Sequence, residues 1–281
     1  MGPKLRDLYS FSKRIIDLLL FFILLIPAVI LIASFGIILA FQFKSSPFFI
    51  QERGLTLTKH RLKILKLRTI KKDFSKVTSE NDIFFKPSLQ NEIPKFAAWL
   101  RKTGLDELPQ IFNVLTGKMS FIGPRPLMDQ DLKVMKKENP IIYYKRESIN
   151  SKPGISGLWQ IYGNRDEGLI NLIALDLIYD TYKTINIDLQ LIFKTAFFVV
   201  TSKNSDAVFT IKKKDKRFVD ISISEDIELK IDSGLIRLLA LPLLNINNSF
   251  SYSLNLPENF WITDYTINNN ELKNHEHRIS A

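Results

Sequence analysis

Two adjacent carboxylates, Asp106 and Glu107, stand in the run Thr103–Leu115, TGLDELPQIFNVL. Pro109 follows closely, and proline is tolerated in a helix only in the first turn, where its missing N–H has no partner to lose. The run therefore predicts a helix with Asp106 or Glu107 at its N-cap and an apolar stripe of Leu108, Ile111, Phe112 and Leu115 facing a core. A helix N-terminus favours negative charge. That keeps Asp106 ionised, as a nucleophile or a metal ligand must be. A plain capping acid would fit the same local pattern, so the cations around the pair carry the argument.

Arg101 precedes Asp106 by one and a half helical turns, on a short predicted helix over Ile93–Lys102. Downstream, FIGPRPL (Phe121–Leu127) brackets Arg125 between Pro124 and Pro126. A residue before proline is pushed to extended geometry. Arg125 thus projects from a stiffened loop, and a planar, permanently charged fork suits phosphate. Upstream, RLKILKLRT alternates apolar and cationic side chains, which predicts a basic β-hairpin over Phe48–Ile70 with Gly54 available for its turn. Lys66 and Arg68 on it are either phosphate ligands or an ordinary solvated strand face. SKPGISGLWQIYGN (Ser151–Asn164) is a turn region whose Trp159 and Tyr162 either stack on a base or pack. Leu169–Val200 predicts one or two amphipathic helices, suited to a bilayer surface or to ordinary packing. Lys71–Pro94 reads as a loop or lid.

The placement of charge narrows the partners. The chain of 281 residues has a net charge of +10 and no cysteine. Residues 1–14 sum to +3 and residues 44–72 to +8, whereas residues 73–281 sum to zero. The surplus flanks the apolar run Ile15–Phe43, which is the footprint of an anionic membrane surface rather than of nucleic acid. Pro27 sits mid-run and bends a helix there. Each arm beside it, about 12–16 residues, is too short for a ~30 Å hydrocarbon core. Positive charge on both flanks places both on the cytoplasmic side. A re-entrant hairpin broken at Pro27 satisfies both constraints, with Lys13 and Arg14 at the headgroup phosphates; a kinked span is the alternative. Beyond Lys203 the texture shifts to IKKKDKR, alternating runs such as VDISIS, and an Asn-rich end, which predicts a β-rich appendage. His275, Glu276 and His277 in that tail are a weak metal signal. Glycine-rich nucleotide-binding loops and a serine nucleophile elbow are absent from the sequence.

From about Tyr9 to Lys203 the order of these pieces resembles the bacterial sugar transferase family, the small monotopic phosphoglycosyl transferases. The resemblance rests on KRIID before the apolar helix, PFFIQERG, LKLRT, RKTGLDELPQIFNVLTGKMSFIGPRPL and KPGISGLWQ. It implies transfer of a sugar 1-phosphate from a UDP-sugar to polyprenyl (undecaprenyl) phosphate, with loss of UMP and a need for Mg2+. It implies a catalytic dyad at Asp106 and Glu107, which also serve the metal, lipid-phosphate binding at Arg101, and nucleotide-phosphate binding at Arg125, beside Lys66 and Arg68. It further implies the re-entrant hairpin on the cytoplasmic face of the bacterial inner membrane. Two departures stand out: Ile26 where the family has serine before proline, and Gly163-Asn164-Arg165, which shifts an arginine by one. The expected fold is α+β, mainly α. Residues 1–44 form the membrane hairpin, 45–203 the transferase domain, and 204–281 an extension able to hold a partner or a second copy. A membrane phosphatase using Asp106, or a non-catalytic scaffold, are the rival readings.

Overall fold

The apolar N-terminal segment forms one long helix, α1 (Pro3–Phe43), with Pro27 inside it. Its stretch Asp7–Phe43 is long and apolar enough to cross a membrane by length and composition. The helix does not stand apart from the rest. Phe21, Ala28, Ile32, Leu39 and Phe43 are buried in one cluster with Leu67, Ala97, Leu100 and Ile111 of the following domain. Ile23, Ile26 and Phe41 on its other side are exposed, Phe41 to 81%.

The computed structural model describes residues 3–70, 93–163, 168–201, 218–224, 227–232 and 252–253. Most of the predicted lid at Lys71–Pro94, the shifted Asn164 and Arg165, and the His275–His277 cluster lie outside the described residues. Two compact units divide the chain, residues 1–215 and 216–281.

In the first unit the predicted hairpin is present: β1 (Phe48–Gly54) pairs antiparallel with β2 (Leu62–Leu67), and β4 (Leu127–Met128) joins the other edge of β1. Register sets Phe49 opposite Lys66, Gln51 opposite Ile64 and Arg53 opposite Leu62. Period-two alternation therefore turns Lys66 inward with Leu62 and Ile64, while Lys63 faces water. A second, parallel pair joins β3 (Ser120–Ile122) to β5 (Gly154–Ser156). It brings the two glycine-containing loops so close that a Cβ on Gly154 would sit 2.1 Å from the Gly123 nitrogen.

Helices dominate the remainder of this unit, so the described fold is α+β and mainly α. They are α2 (Lys95–Thr103), a 3-10 helix over Leu105–Gln110, α3 (Ile111–Leu115), α4 (Asp129–Glu138), α5 (Pro140–Glu147), α6 (Leu158–Tyr162), α7 (Gly168–Tyr182) and α8 (Ile185–Thr201). Local chemistry explains their ends. Asp129 and Asp131 open α4, and Lys136 and Lys137 close it. Pro140 occupies the first turn of α5.

Leu169–Val200 is two helices with different environments. Every residue from Asn171 to Tyr179 on α7 is buried, so α7 is a core helix. Helix α8 buries Ile187, Asp188 and Leu191 but leaves Leu189, Phe193, Phe197 and Val200 exposed along one stripe. The second unit contains a sheet of β6 (Phe218–Ser224), β7 (Ile227–Asp232) and β8 (Tyr252–Ser253), in the order β7-β6-β8.

Candidate active site

The dyad is positioned by a glycine, not by its own capping. Gly104, at φ +74°, ends α2 in the left-handed region, where its N–H donates to the Arg101 carbonyl. Its own carbonyl then accepts the Glu107 N–H at 3.0 Å. A 3-10 helix starts there, so Asp106 and Glu107 lie in its first turn and Gly104 is the N-cap. This corrects the expected N-cap role: glycine reaches φ > 0 without a Cβ penalty, and the turn begins before the acids. Pro109 is not in a first helical turn as expected: it falls late in the 3-10 helix, two residues before α3 begins. The predicted stripe is split as well. Ile111 and Val114 are buried, whereas Phe112 and Leu115 are exposed to 40% and 38%.

Strand β2 supplies the cation. Lys66 donates from Nζ to Glu107 Oε1, with the two side chains 9% and 15% exposed. Burial pushes the Lys66 ammonium below its ordinary value, as do the nearby guanidinium groups of Arg53 and Arg125, while Glu107 and Asp106 pull it back up. Four charged groups are thus within electrostatic reach of one buried ammonium: Arg53, Asp106, Glu107 and Arg125. Arg53 is the residue that residue-type reasoning left unassigned. It donates from Nη1 to the Pro126 carbonyl at 3.1 Å and from Nε to Gln51 Oε1 at 2.9 Å. The signal was available in the two-residue period, because Arg53 shares the inward face of β1 with Gln51 and Phe49.

Arg101 closes another side. It extends from the last turn of α2, its Nη1 donating to Thr69 Oγ1 at 3.2 Å. Its Nε is buried with no hydrogen-bond partner among the described residues. Trp99, on the same helix, is 40% exposed and packs edge-on against Phe35 of α1.

The backbone at Arg125 is gripped from both directions. Its N–H donates to Asp176 Oδ1 at 3.2 Å, and its carbonyl accepts from Arg146 Nη2. Arg146 is fully buried, ion-paired to Asp176 at 2.6 Å, and donates to the Leu55 carbonyl at 2.6 Å. Burial pushes the Asp176 carboxyl up, and the charge and hydrogen bonds of Arg146 and the Arg125 N–H draw it back.

Other predicted residues lie elsewhere. Arg68 turns to the α1–β1 connection and donates to the Ser46 and Phe48 carbonyls at 2.9 and 3.1 Å. Lys13 pairs with Asp188 at 2.8 Å, and Arg14 donates to the Val114 and Leu115 carbonyls at 2.6 and 2.7 Å. The structure therefore places both in intramolecular contacts that fasten α1 to α8 and α3, where headgroup contact was expected. Trp159 and Tyr162 are each 5% exposed, so they pack.

Adjacent carboxylates on a short turn, a buried ammonium against one of them and an arginine loop held by its backbone belong to the unit that carries the long apolar helix α1. The model of the bacterial sugar transferase family matches residues 8–202, and the chain belongs to that family. It is similar to the exopolysaccharide production protein ExoY of Sinorhizobium fredii, with 31% identity over 218 residues, 72% of this chain and 91% of that protein. With ExoY of Rhizobium meliloti it shares 38% identity over 119 residues, 42% of this chain and 50% of that protein. It is also 39% identical, over 132 residues, to the UDP-glucose:undecaprenyl-phosphate glucose-1-phosphate transferase of Klebsiella pneumoniae, covering 44% of this chain and 27% of that one.

Proposed function

We propose that this protein transfers a sugar 1-phosphate from a UDP-sugar to a polyprenyl phosphate at the cytoplasmic leaflet of the bacterial inner membrane. The observation that carries the reading is the convergence of Asp106, Glu107, Lys66, Arg53 and Arg125, with Arg101 on the helix that also bears the exposed Trp99. That arrangement offers one side to a soluble diphosphate and another to a lipid phosphate.

Asp106 attacks the sugar-proximal phosphorus of the donor. A carboxylate oxygen–phosphorus bond forms, the bond from phosphorus to the bridging oxygen breaks, and that oxygen leaves with UMP. An oxygen of the lipid phosphate then attacks the same phosphorus and frees the carboxylate, giving a polyprenyl diphospho-sugar. The nucleophile is assigned to Asp106 of the dyad, and Glu107 pairs with Lys66. Arg125 and Arg53 hold the donor diphosphate, and Arg101 holds the lipid phosphate, the positioning that dominates phosphoryl transfer. Asp106 and Glu107 offer the carboxylate oxygens that suit Mg2+, which is held by one or two carboxylates together with substrate phosphates. When bound, the ion neutralises the charge that a carboxylate meets on approaching a diphosphate.

The membrane assignment draws on α1 and on the exposed apolar stripe of α8. Both halves of α1 pack on the same domain, as a re-entrant helix would.

The test is UMP release from UDP-sugars with and without polyprenyl phosphate, on the wild type and on Asp106→Asn. The expected result is lipid-dependent turnover in the wild type, a stoichiometric burst of UMP without lipid, and a labelled phospho-sugar on Asp106. In Asp106→Asn, activity falls by about 10³-fold or more, as for loss of a nucleophile. Turnover by Asp106→Asn near the wild-type rate, or release of inorganic phosphate instead of a lipid product, overturns the reading.

A further inference from the structure

We infer that the buried pair Arg146–Asp176 is a positioning clamp for Arg125: it fixes the loop's peptide from both sides and registers it against the base of the β1–β2 hairpin. The inference rests on the donor-binding role proposed for Arg125.

Arg125 lies between two prolines. Proline has no N–H, so neither flank can donate a backbone hydrogen bond. Arg125 supplies the lone N–H of the PRP segment, and that N–H goes to Asp176 Oδ1 at 3.2 Å. The adjacent carbonyl accepts from Arg146 Nη2. The two clamp residues hold each other at 2.6 Å, which fixes the N–H acceptor and the C=O donor relative to one another. Arg146 Nε spends its remaining reach on the Leu55 carbonyl at 2.6 Å, directly after Gly54 at the end of β1. Arg53 of that strand donates to the Pro126 carbonyl in turn. Loop and hairpin are therefore joined at two points, and the place of Arg125 is set by both.

The cost of the arrangement argues for a purpose. A fully buried Arg–Asp pair is expensive to desolvate, and an apolar pair of similar volume is often as stable or more so. Asp176 stands in the middle of a helix whose neighbours from Leu172 to Tyr179 are buried and mostly apolar. Stability alone does not call for a carboxylate there. A planar fork that donates in three directions, paired with an acceptor that has two oxygens, does hold a peptide by both its ends.

The test is a double-mutant cycle in full-length protein reconstituted in nanodiscs, with kcat and the donor KM measured separately. Arg146→Lys keeps the charge beside Asp176 but loses the fork. It should lower kcat/KM for the UDP-sugar by about 10-fold or more, with the lipid KM within about 2-fold of wild type. Placed in an Arg125→Ala background, the same substitution should change kcat/KM by less than about 2-fold, because a clamp has nothing left to position. Asp176→Asn should repeat the pattern. If one variant does not fold, judged by its melting transition, the other carries the cycle; the double apolar replacement Arg146→Met/Asp176→Leu provides a third. Additive losses, with Arg125→Ala itself impaired, overturn the clamp and leave the role of Arg125 standing. Wild-type activity in Arg125→Ala overturns the role of Arg125 and the clamp with it.

Discussion

Lys66→Met tests whether the ammonium beside the dyad is a structural partner of Glu107. Methionine keeps the length and packs with Leu62 and Ile64 on the inward face of β2, so volume is little changed. The charge is lost, and Glu107 loses its Lys66 partner. Breaking a buried pair by removing one partner costs about 3–5 kcal/mol. Lys66 is 9% exposed and Glu107 15%, so Glu107 recovers some hydration and the lower end applies. At about 3 kcal/mol, a domain of this size loses roughly 6–12 °C in melting temperature. The assay is thermal unfolding of the detergent-solubilised protein, with donor turnover measured on the same samples below the transition. Lys66→Met/Glu107→Leu supplies the control, since a hydrophobic pair in the same space should recover most of the lost stability. Turnover should fail in both variants. A melting temperature for Lys66→Met within about 2 °C of wild type would refute the reasoning, because it would mean that Glu107 does not depend on Lys66 for its burial.

Two further outcomes follow from the geometry. Burial alone would raise the Asp180 carboxyl, but Lys183, Ser151 and the Asn150 N–H hold it below its ordinary 3.8. That stabilisation is present above the unfolded-state value and is lost as pH falls through the folded one; Asp180→Asn should therefore melt lower than wild type at pH 7, and the gap should close on acidification below about 4. For the membrane segment, single cysteines placed before Tyr9 and at Ser45 should both be labelled from the cytoplasmic side by an impermeant reagent in oriented vesicles. Labelling of the two from opposite sides would show that α1 spans the bilayer.

The sequence made the dyad, the hairpin, α2 and the stiffened Arg125 legible because each is a local pattern: a proline, an alternation, an arginine between prolines. Lys66 was singled out, but its partner was not, since pairing across β2 and the 3-10 helix is a tertiary fact that alternation does not encode. Gly104 was readable in principle, as a glycine just past a basic helix end is the usual left-handed cap. The adjacent acids, good capping residues themselves, masked it. Arg146 stands in the last turn of α5, where the macrodipole already accounts for a cation. Asp176 was the better clue: a carboxylate within an apolar run must find a partner. Which partner depends on how α5 and α7 pack. Lys13 and Arg14 followed the charge pattern of a membrane flank, yet carbonyls at the end of α3 and the buried Asp188 compete for them at shorter range.

The contacts of α1 constrain how it can meet a bilayer. From Tyr9 to Phe43 an α-helix would rise about 51 Å, at ~1.5 Å per residue. A helix that crosses the hydrocarbon core needs about 20 consecutive residues clear of the aqueous domain. No such interval exists here. Tyr9 and Lys13 bond Asp188, Asp17 accepts from Ser120 and the Phe121 N–H, and Phe21 packs edge-on against Phe112. Beyond Pro27, Ala28, Ile32, Leu39 and Phe43 are buried in the cluster that holds Leu100 and Ile111, and Phe35 stacks edge-on with Phe96 and Trp99. The longest gap between these anchors is less than two helical turns. The exposed side chains, Ile23, Ile26 and Phe41 among them, alternate with the anchors along the same helix.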